Sequence, residues 1–361
     1  MLKDESLLAW WRLLRLPGVG LVSANAIRQR LNNPCDLARL TLADLVAYGL
    51  RPDAAQRWLT DSSLTAGFEA VVQWRQQPQC GVLLAGLAPY PDALSSLRDA
   101  PILLFYQGDL SVLQGPCVAM VGSRNPTPYA REWAQQTAKQ LAAAGVTVVS
   151  GLAVGIDGAV HQGAIDGGKT IAVLGSGLDV IYPAKHLGLA HMIVQHGLLL
   201  SEFPPGTAAH ASHFPARNRI ISGLSRATVV VEAAIKSGTL ITARLAAEQG
   251  RDVMALPGAV TNPLSRGCHQ LIRDGALLVE GADDILRECL SLPMQSQADL
   301  FAHGSTSAVP VLVSVIDYSL TPIDVIGLRS QLSMAQLLPE LLELELQGWL
   351  QQVPGGYVRL R

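Results

Sequence analysis

Charge and aromatic side chains are both scarce in this chain of 361 residues. Asp, Glu, Lys and Arg make up 16% of it, Phe, Trp and Tyr make up 5%, and the formal net charge is −2. This composition excludes a protein coated in basic residues for indiscriminate nucleic-acid binding. Apolar residues account for 49% of a chain too long for one ordinary core, so we expect two or three well-buried domains.

Cysteine is also sparse, and no two cysteines form a Cys-x-x-Cys pair. The five cysteines are far apart, at Cys35, Cys80, Cys117, Cys268 and Cys289. Their odd number and wide spacing argue against a disulfide framework or a zinc site, so no metal is expected. Reduced thiols are typical of a cytoplasmic protein. No apolar run reaches membrane-spanning length, and the N-terminus is acidic where a signal peptide is basic, so no membrane partner is expected.

The common nucleotide-binding signatures are absent. Neither a Gly-x-Gly-x-x-Gly fingerprint nor a Walker A sequence occurs. The nearest approach, Gly167-Gly-Lys-Thr170, lacks the upstream glycine and precedes a predicted strand instead of opening a helix. ATP hydrolysis and NAD-dependent hydride transfer are therefore disfavoured, and we expect no cofactor.

The central residues 79–290 alternate short apolar runs with helix-length segments. Such runs, covered by helices on both faces, predict an α/β fold with a mostly parallel sheet. Nine strands are predicted, at 82–85, 102–106, 118–121, 147–149, 171–174, 198–200, 228–231, 253–256 and 276–279. Ligands of such sheets bind at the carboxyl ends of the strands.

Two further regions flank the sheet. Residues 1–78 are predicted to be helical, and Leu16-Pro-Gly-Val-Gly20 resembles a helix-hairpin-helix turn, with either a phosphate-binding or a purely structural role. Residues 291–308 are polar and aperiodic, which predicts a linker. Residues 309–361 predict three helices (311–317, 322–332 and 334–347) and a hairpin, which is a winged-helix outline. The third helix is acidic, which favours a protein-contact or packing role over DNA reading.

Glycine, serine and basic residues follow several predicted strands. Gly122, Ser123 and Arg124 come after the third strand, and Lys236, Ser237 and Gly238 after the seventh. Arg217-Asn218-Arg219 precedes an apolar helical run; if a helix begins near Asn218, its free N–H groups also favour an anion. Residues 124–244 hold ten basic and six acidic side chains. We therefore predict an anion-binding groove at the strand ends.

Catalytic residues are not evident. Ser176 is not in a nucleophile elbow, and nothing pairs His161, His210 or His213 with a nucleophile. Asp157 and Glu232 could form a carboxylate pair, but orienting arginines or capping helices is the favoured interpretation. We expect no enzymatic activity.

Five motifs occur in order across residues 80–290 and identify a family resemblance. They are Val-Gly-Ser-Arg, Ser-Gly-Leu-Ala-x-Gly-Ile-Asp-x-x-x-His, Gly-Gly-x-Thr-Ile-Ala-Val-Leu-Gly, Phe-Pro-x-Arg-Asn-Arg-Ile-Ile-Ser and Ser-Gly-Thr-Leu-Ile-Thr-Ala. The chain resembles the DNA-processing protein A (DprA/Smf) family. The resemblance implies an extended Rossmann-like domain between an N-terminal domain of sterile-alpha-motif or helix-hairpin-helix type and a winged helix.

The resemblance also implies a function and a set of contact residues. Family members bind single-stranded DNA, protect it during natural transformation, help load the RecA recombinase, and commonly form homodimers. Matching the motifs carries DNA contacts to Gly122, Ser123, Arg124, Lys169, Arg217, Asn218 and Arg219. Lys236 stands where many members have a small or apolar residue. We favour Arg217 for a phosphate, and Arg219 for a structural pair with Asp157 or Glu232. Tyr182, Phe203 and Phe214 are the candidate stacking surfaces.

An enzymatic alternative is a phosphoribohydrolase of the lysine-decarboxylase-like Rossmann group, which binds nucleoside monophosphates. Glu232 and Ser237-Gly-Thr239 could imitate its site. The pattern Pro-Gly-Gly-x-Gly-Thr-x-x-Glu that marks that group is missing from residues 232–242.

Overall fold

The computed structural model describes residues 2–290 and 310–360. The linker predicted at 291–308 lies outside the described residues. Within them, no helix is both long and apolar enough to cross a membrane.

The first helices pack their apolar side chains around tryptophan, as part of the larger core of the molecule. Helices α1 (Asp4–Leu14) and α2 (Leu21–Arg30) are joined by the predicted turn, where Gly18 has φ +85°, a conformation that favours glycine. Trp10 is fully buried, and its indole N–H donates to the carbonyl oxygen of Pro34 at 2.9 Å. The remaining helices of this region are α3 (Leu42–Ala47), α4 (Pro52–Thr60) and α5 (Phe68–Gln76).

A nine-stranded sheet forms the centre of the molecule, in the order β1-β2-β6-β5-β4-β3-β7-β8-β9. Each predicted strand is confirmed to within two residues at either end. The strands are β1 (Cys80–Leu84), β2 (Leu103–Gly108), β3 (Cys117–Val121), β4 (Thr147–Ser150), β5 (Thr170–Leu174), β6 (Leu198–Ser201), β7 (Ala227–Val230), β8 (Asp252–Ala255) and β9 (Leu277–Leu278). The antiparallel pairs of this sheet are β1 with β2 and β2 with β6, and all its other pairs are parallel, so the prediction of a mostly parallel sheet is confirmed.

Helices cover both faces of the sheet, as continuous apolar strands require. Side chains alternate along β3: Val118 and Met120 pack with helices α7 (Pro128–Ala143), α8 (Ile156–Gly167) and α13 (Ala282–Leu290) on one face. Ala119 and Val121 belong to the larger core on the other face. That face is covered by α9 (Leu187–His196), α10 (His213–Leu224), α11 (Thr239–Glu248) and α12 (Arg266–Arg273), and the short α6 (Asp92–Ser95) packs against α10.

The strand order reverses at β3, which lies between β4 and β7. The loops that follow β3, β4, β5 and β7 all emerge at the carboxyl edge of the parallel strands. The crevice between the β3 and β7 loops is the switch point at which doubly wound sheets bind their ligands.

The C-terminal region is the predicted winged helix. A 3₁₀ helix (Val311–Val315) stands where the first helix was predicted. It is followed by α14 (Ile323–Ser330), α15 (Met334–Leu346) and the hairpin of β10 (Leu350–Val353) and β11 (Gly356–Arg359). Leu337, Leu341 and Leu344 anchor α15 in this core.

Candidate nucleic-acid interface

Arg124 stands exposed on the loop after β3 and contacts an aromatic ring. Its guanidinium carbon lies 5.7 Å from the ring centroid of Phe214, near the start of α10. In the same loop, the Ser123 hydroxyl accepts a hydrogen bond from the backbone N–H of Asn125 at 3.1 Å. The loop can therefore present a cation beside an apolar surface.

The ring of Phe214 also contacts a second aromatic ring, that of Tyr182, in the loop after β5. Their ring centroids are 5.6 Å apart at an interplanar angle of 38°, and 52% of Tyr182 is exposed. We call Arg124, Phe214 and Tyr182 the rim row. Beside it, Phe203 stacks on His213 with centroids 4.1 Å apart. All three candidate stacking residues thus lie at one edge of the sheet.

The loop after β7 is joined to the loop after β3. Thr239 donates a hydrogen bond from its hydroxyl to the carbonyl oxygen of Gly122 at 3.0 Å, and its own N–H donates to the hydroxyl of Ser237 at 3.2 Å. Lys236 and Gly238 are exposed here. The structure therefore brings Gly122, Ser123 and Arg124 together with residues 236–238 at the switch point.

Helix α10 begins earlier than expected. It spans His213–Leu224, so a helix start near Asn218 was wrong, and Arg217-Asn218-Arg219 lies inside the helix. Pro215 stands in its first turn, where no backbone N–H is needed for an intrahelical bond. The free N–H groups of α10 are therefore not beside these three residues.

Arg217 is buried under the strand-end loops, with only 5% of its surface exposed. Its guanidinium donates to the carbonyl oxygens of Gly151, at 2.6 Å, and of Val173. Burial lowers the pKa of Arg217 to about 10, with nearby Asp157 opposing that shift, so the group stays charged at neutral pH. In this arrangement Arg217 ties the loop after β4 to the carboxyl end of β5, and its contact with a phosphate stays a prediction.

Asp157 completes this buried network at the start of α8. Its carboxylate accepts hydrogen bonds from the backbone N–H groups of Gly151, at 3.2 Å, and Ala153, at 3.3 Å. Burial raises the pKa of Asp157, while Arg217 and the two N–H groups oppose the shift. Asn218 accepts from the Nε of Arg217 at 3.2 Å, so its side-chain oxygen is also committed locally.

Arg219 has different partners from those expected. It is 6% exposed and forms ion pairs with Glu202 and with Asp99, the latter at 3.4 Å. The predicted pairing with Asp157 or Glu232 was wrong, because Arg219 points toward β6 and the residues before β2 instead of toward the loops after β4 and β7. Burial raises the pKa of Glu202, and Arg219 is the main opposing influence.

Lys169 lies at the opposite edge of the sheet from the rim row. It directly precedes β5, and its Nζ donates to the hydroxyl of Ser111 at 3.0 Å and lies 3.7 Å from a carboxylate oxygen of Asp109. A five-residue strand separates the two edges by about 16 Å. The structure therefore does not bring Lys169 into the same groove as Arg124.

Lys185, an exposed cation at the carboxyl edge, was not predicted from the sequence to be a contact residue. Lys185 follows β5 in the short 3₁₀ helix Ala184–His186, close to Tyr182 in sequence. The neighbouring His186 ring nitrogen Nδ1 hydrogen-bonds the carbonyl oxygen of Leu152 at 2.9 Å, which holds this segment against the loop after β4. Its position after a strand was the available signal, whereas Lys169 precedes one.

The groups considered for catalysis are engaged in structural contacts. Ser176 is 1% exposed and donates to the carbonyl oxygen of Val180 at 2.7 Å. His161 is fully buried, with Nδ1 2.8 Å from the hydroxyl of Thr170. Across residues 2–290 and 310–360, no three His, Cys, Asp or Glu side chains cluster as a metal ion would need.

These features define a doubly wound α/β protein whose strand-end edge combines cations with aromatic rings, flanked by a helical region and a winged helix. Residues 82–290 match the family model for DNA recombination-mediator protein A, and residues 302–356 match the model for the DprA winged helix domain. The chain belongs to the DNA-processing protein A family, DprA/Smf.

Individual relatives agree with this assignment. Protein Smf of Escherichia coli K12 is 42% identical over 322 residues, which cover 87% of this chain and 86% of that protein. DNA processing protein DprA of Streptococcus pneumoniae is 49% identical over 200 residues, covering 55% of this chain and 71% of that protein.

Two solved structures are also similar. The S. pneumoniae DprA structure aligns with a TM-score of 0.68 and 38% identity, covering 80% of this chain and 98% of that one. The second, of DNA processing protein A from Helicobacter pylori, has a TM-score of 0.54 and 32% identity and covers 59% of this chain and 96% of that one. The H. pylori protein is described as having a unique single-stranded DNA binding mode.

Proposed function

We propose that this protein binds single-stranded DNA along the carboxyl edge of its central sheet. The observation that carries the proposal is the rim row, in which the exposed Arg124 lies over Phe214 and Phe214 contacts the exposed Tyr182. Single strands expose both phosphates and unstacked bases, and such proteins bind them with cations and aromatic platforms placed side by side. A fully paired duplex keeps its bases stacked and gains less from the rings.

Besides Arg124 of the rim row, two exposed cations lie in strand-end loops: Lys185 after β5 and Lys236 after β7. Each phosphate that a cation neutralises on a single strand releases counterions and adds about 0.7 to the slope of log affinity against log salt. A site with few cations therefore has a shallow salt slope. Gly122, Ser123, Ser237 and Gly238 lie in the same loops and can add uncharged donors to a phosphate, which reconciles binding with the net charge of −2.

The cellular role that fits this binding is protection of incoming single strands during natural transformation and loading of the RecA recombinase onto them. The family membership and the single-stranded DNA binding mode of the H. pylori relative support it. In this role the protein is not an enzyme and acts by binding alone. The phosphoribohydrolase alternative needs an available glutamate, whereas Glu232 is 4% exposed and already accepts two hydrogen bonds from Thr127.

We also propose a homodimer formed through β9, the strand at one side of the sheet. β9 is the last strand in the sheet order, and Leu277 and Leu278 are 42% and 49% exposed there. An apolar edge strand is a template for pairing with another chain, and a second copy would cover it. Light scattering should show a dimer for the unaltered protein and a monomer for Leu278→Arg; two equal masses would contradict this interface.

The winged helix is assigned to protein contact. The outer face of α15 carries Leu338, Leu342 and Leu346, which are 50%, 57% and 81% exposed, next to Glu340 and Glu343. A helix that reads DNA presents cations and hydrogen-bond donors, and this face presents neither.

Fluorescence anisotropy with labelled single- and double-stranded oligonucleotides at two salt concentrations tests the proposal. We expect the single strand to bind more tightly, and Arg124→Ala and Tyr182→Ala each to weaken its binding by about tenfold. The matched control is Lys139→Ala, an exposed cation in the second half of α7 and away from the carboxyl edge. Equal affinity for the duplex, or equal affinity of Arg124→Ala and Lys139→Ala, would refute the proposal.

A further inference from the structure

Glu232 lies at the end of β7 and is almost completely enclosed, with 4% of its surface exposed. One carboxylate oxygen accepts a hydrogen bond from the backbone N–H of Thr127 at 3.0 Å. The other accepts from the hydroxyl of Thr127 at 2.8 Å and from the side-chain amide of Asn262 at 3.2 Å. Glu232 therefore joins the loops that follow β3, β7 and β8.

Thr127 is the N-cap of the 16-residue helix α7, and its hydroxyl also accepts a hydrogen bond from the N–H of Ala130 at 3.2 Å. In a capping box, the residue at the third helical position reaches back to the N–H of the N-cap residue. The third position here is Ala130, whose methyl group cannot do so. Glu232 supplies the missing carboxylate from a different strand, 105 residues away.

This capping takes place at the switch point between β3 and β7. In doubly wound sheets, the helix that starts there directs its positive end and free N–H groups at an anionic ligand. In this protein, the carboxylate of Glu232 provides that negative charge from within the chain. The Thr127 donors at the start of α7 are thus already occupied, and the loop before α7 is fixed by a protein group and not by a ligand.

The loop so fixed is the one that presents Arg124. The loop begins after Val121, the last residue of β3, and ends at Thr127, which is bound by Glu232. Within the loop, the carbonyl oxygen of Gly122 accepts a hydrogen bond from Thr239. Gly155 packs closely against this loop, because a Cβ at position 155 would come within 2.6 Å of the carbonyl group of Arg124. The path of the loop, and so the place of the Arg124 side chain over Phe214, depends on these anchors.

We propose that Glu232 is a positioning residue for DNA binding: its carboxylate caps α7 across the switch point and thereby sets the loop that places Arg124. The inference rests on the proposed function. It predicts that Glu232 and Arg124 act as a unit, whereas a residue that only stabilises the fold would affect binding independently of Arg124.

A double-mutant cycle measures this coupling, with oligonucleotide affinity as the readout. We expect Glu232→Ala to weaken single-strand binding by about fivefold to tenfold when Arg124 is present, and by less than about twofold in Arg124→Ala. Glu232→Gln, which keeps an oxygen to accept from Thr127, should lose less, and it replaces Glu232→Ala if that variant does not fold. Thr127→Val removes the same hydroxyl bond from the other side and should reproduce the coupling.

The outcomes separate this inference from the proposed function. If Arg124→Ala binds as tightly as the unaltered protein, the DNA site itself is wrong, and the positioning role is wrong with it. If Arg124→Ala weakens binding but Glu232→Ala costs the same factor in both backgrounds, the site stands and the positioning role is overturned.

Rescue by a small carboxylate is a second readout that does not involve DNA. In Glu232→Ala the positive end of α7 and the Thr127 donors lose their anion, so acetate should raise the melting temperature of this variant. Chloride at the same ionic strength is the control, and the unaltered protein should respond equally to both salts. An equal response of Glu232→Ala to acetate and chloride would contradict a vacated anion site.

Discussion

Arg217 donates a hydrogen bond to the carbonyl oxygen of Gly151 at 2.6 Å. Its guanidinium occupies the space that a side chain at position 151 would need. A Cβ on Gly151 would stand 2.6 Å from both terminal guanidinium nitrogens of Arg217. Close packing, and not backbone conformation, therefore favours glycine at this position. The arginine of the Phe-Pro-Ala-Arg-Asn-Arg motif and the glycine after β4 are two halves of one structural contact.

Arg217→Ala should consequently lower the stability of the protein, because the side chain is buried and contributes little to the surface. It leaves two carbonyl oxygens and the buried Asp157 without their cation, at a cost of about 3 kcal/mol in the free energy of unfolding. Arg124→Ala, by contrast, should leave the urea unfolding midpoint unchanged while weakening DNA binding. Equal midpoints for the two variants would show that Arg217 is not a structural group.

Gly151→Ala tests the same contact from the other side. The added methyl group forces the guanidinium of Arg217 away from its carbonyl partners, and such overpacking costs about 1–3 kcal/mol. Gly188→Ala is the matched control, because a Cβ there meets no atom within 4 Å. The midpoint of thermal unfolding should fall for Gly151→Ala alone, and an unchanged midpoint would show that the site can accommodate the methyl group.

Lys185 and Lys169 offer a direct comparison between the two edges of the sheet. Lys185 is exposed near Tyr182 in the chain, whereas Lys169 is held by Ser111 and Asp109 at the other edge. We expect Lys185→Ala to weaken single-strand binding and to lower the salt slope by about 0.7, with a smaller effect from Lys169→Ala. Affinities measured by anisotropy at several salt concentrations decide this. A larger loss from Lys169→Ala would show that the strand also crosses the opposite edge.

The strands could be predicted from the sequence because buried parallel strands are continuous apolar runs, such as Thr170–Leu174 and Cys117–Val121. Their order along the chain also places the glycine loops at one edge. The start of α10 could not be predicted in the same way. Its N-cap, Ser212, makes no side-chain cap, and Pro215 in its first turn has the appearance of a loop residue.

Whether the two motif arginines are buried or exposed depends on tertiary contacts that cannot be seen in the local sequence. Arg217 bonds backbone carbonyls 66 and 44 residues away, and Arg219 pairs with Glu202 and Asp99 from other elements. Neither the spacing nor the charge of the motif distinguishes a buried guanidinium from one that binds phosphate. The exposed Arg124, by contrast, stands on the loop where its position after β3 predicted it.

Cysteine reactivity should follow burial. Cys35 is partly exposed, while Cys80, Cys117, Cys268 and Cys289 are buried. Burial raises the pKa of Cys117 and of Cys268 to about 12 and that of Cys80 to about 11, so their thiolates are scarce as well as shielded. Alkylation by iodoacetamide at about pH 8, near the ordinary thiol pKa, followed by mass spectrometry, should modify Cys35 first. Simultaneous modification of all five in the native protein would contradict the buried placement.

His161 should make the fold sensitive to mild acid. It is fully buried, its Nδ1 lies 2.8 Å from the hydroxyl of Thr170, and that hydroxyl donates to the carbonyl oxygen of Val148, so the imidazole donates from Nδ1. Its Nε2 has no hydrogen-bond partner among the described residues. Burial, with smaller effects from His186 and Arg217, lowers the pKa of His161 to about 3.

The direction of the pH effect follows from this lowered pKa. An unfolded histidine has a pKa of about 6.5. Between about pH 6.5 and 3, His161 is therefore protonated in the unfolded state and neutral in the folded state. Stability from His161 is therefore complete above about pH 6.5 and is lost as the pH falls, by about 2 kcal/mol at pH 5. His161→Asn keeps an N–H for Thr170 but cannot be protonated. The difference in urea unfolding free energy between the two proteins, measured from about pH 8 to pH 5, should shrink as the pH falls; a constant difference would show that His161 titrates normally in the folded protein.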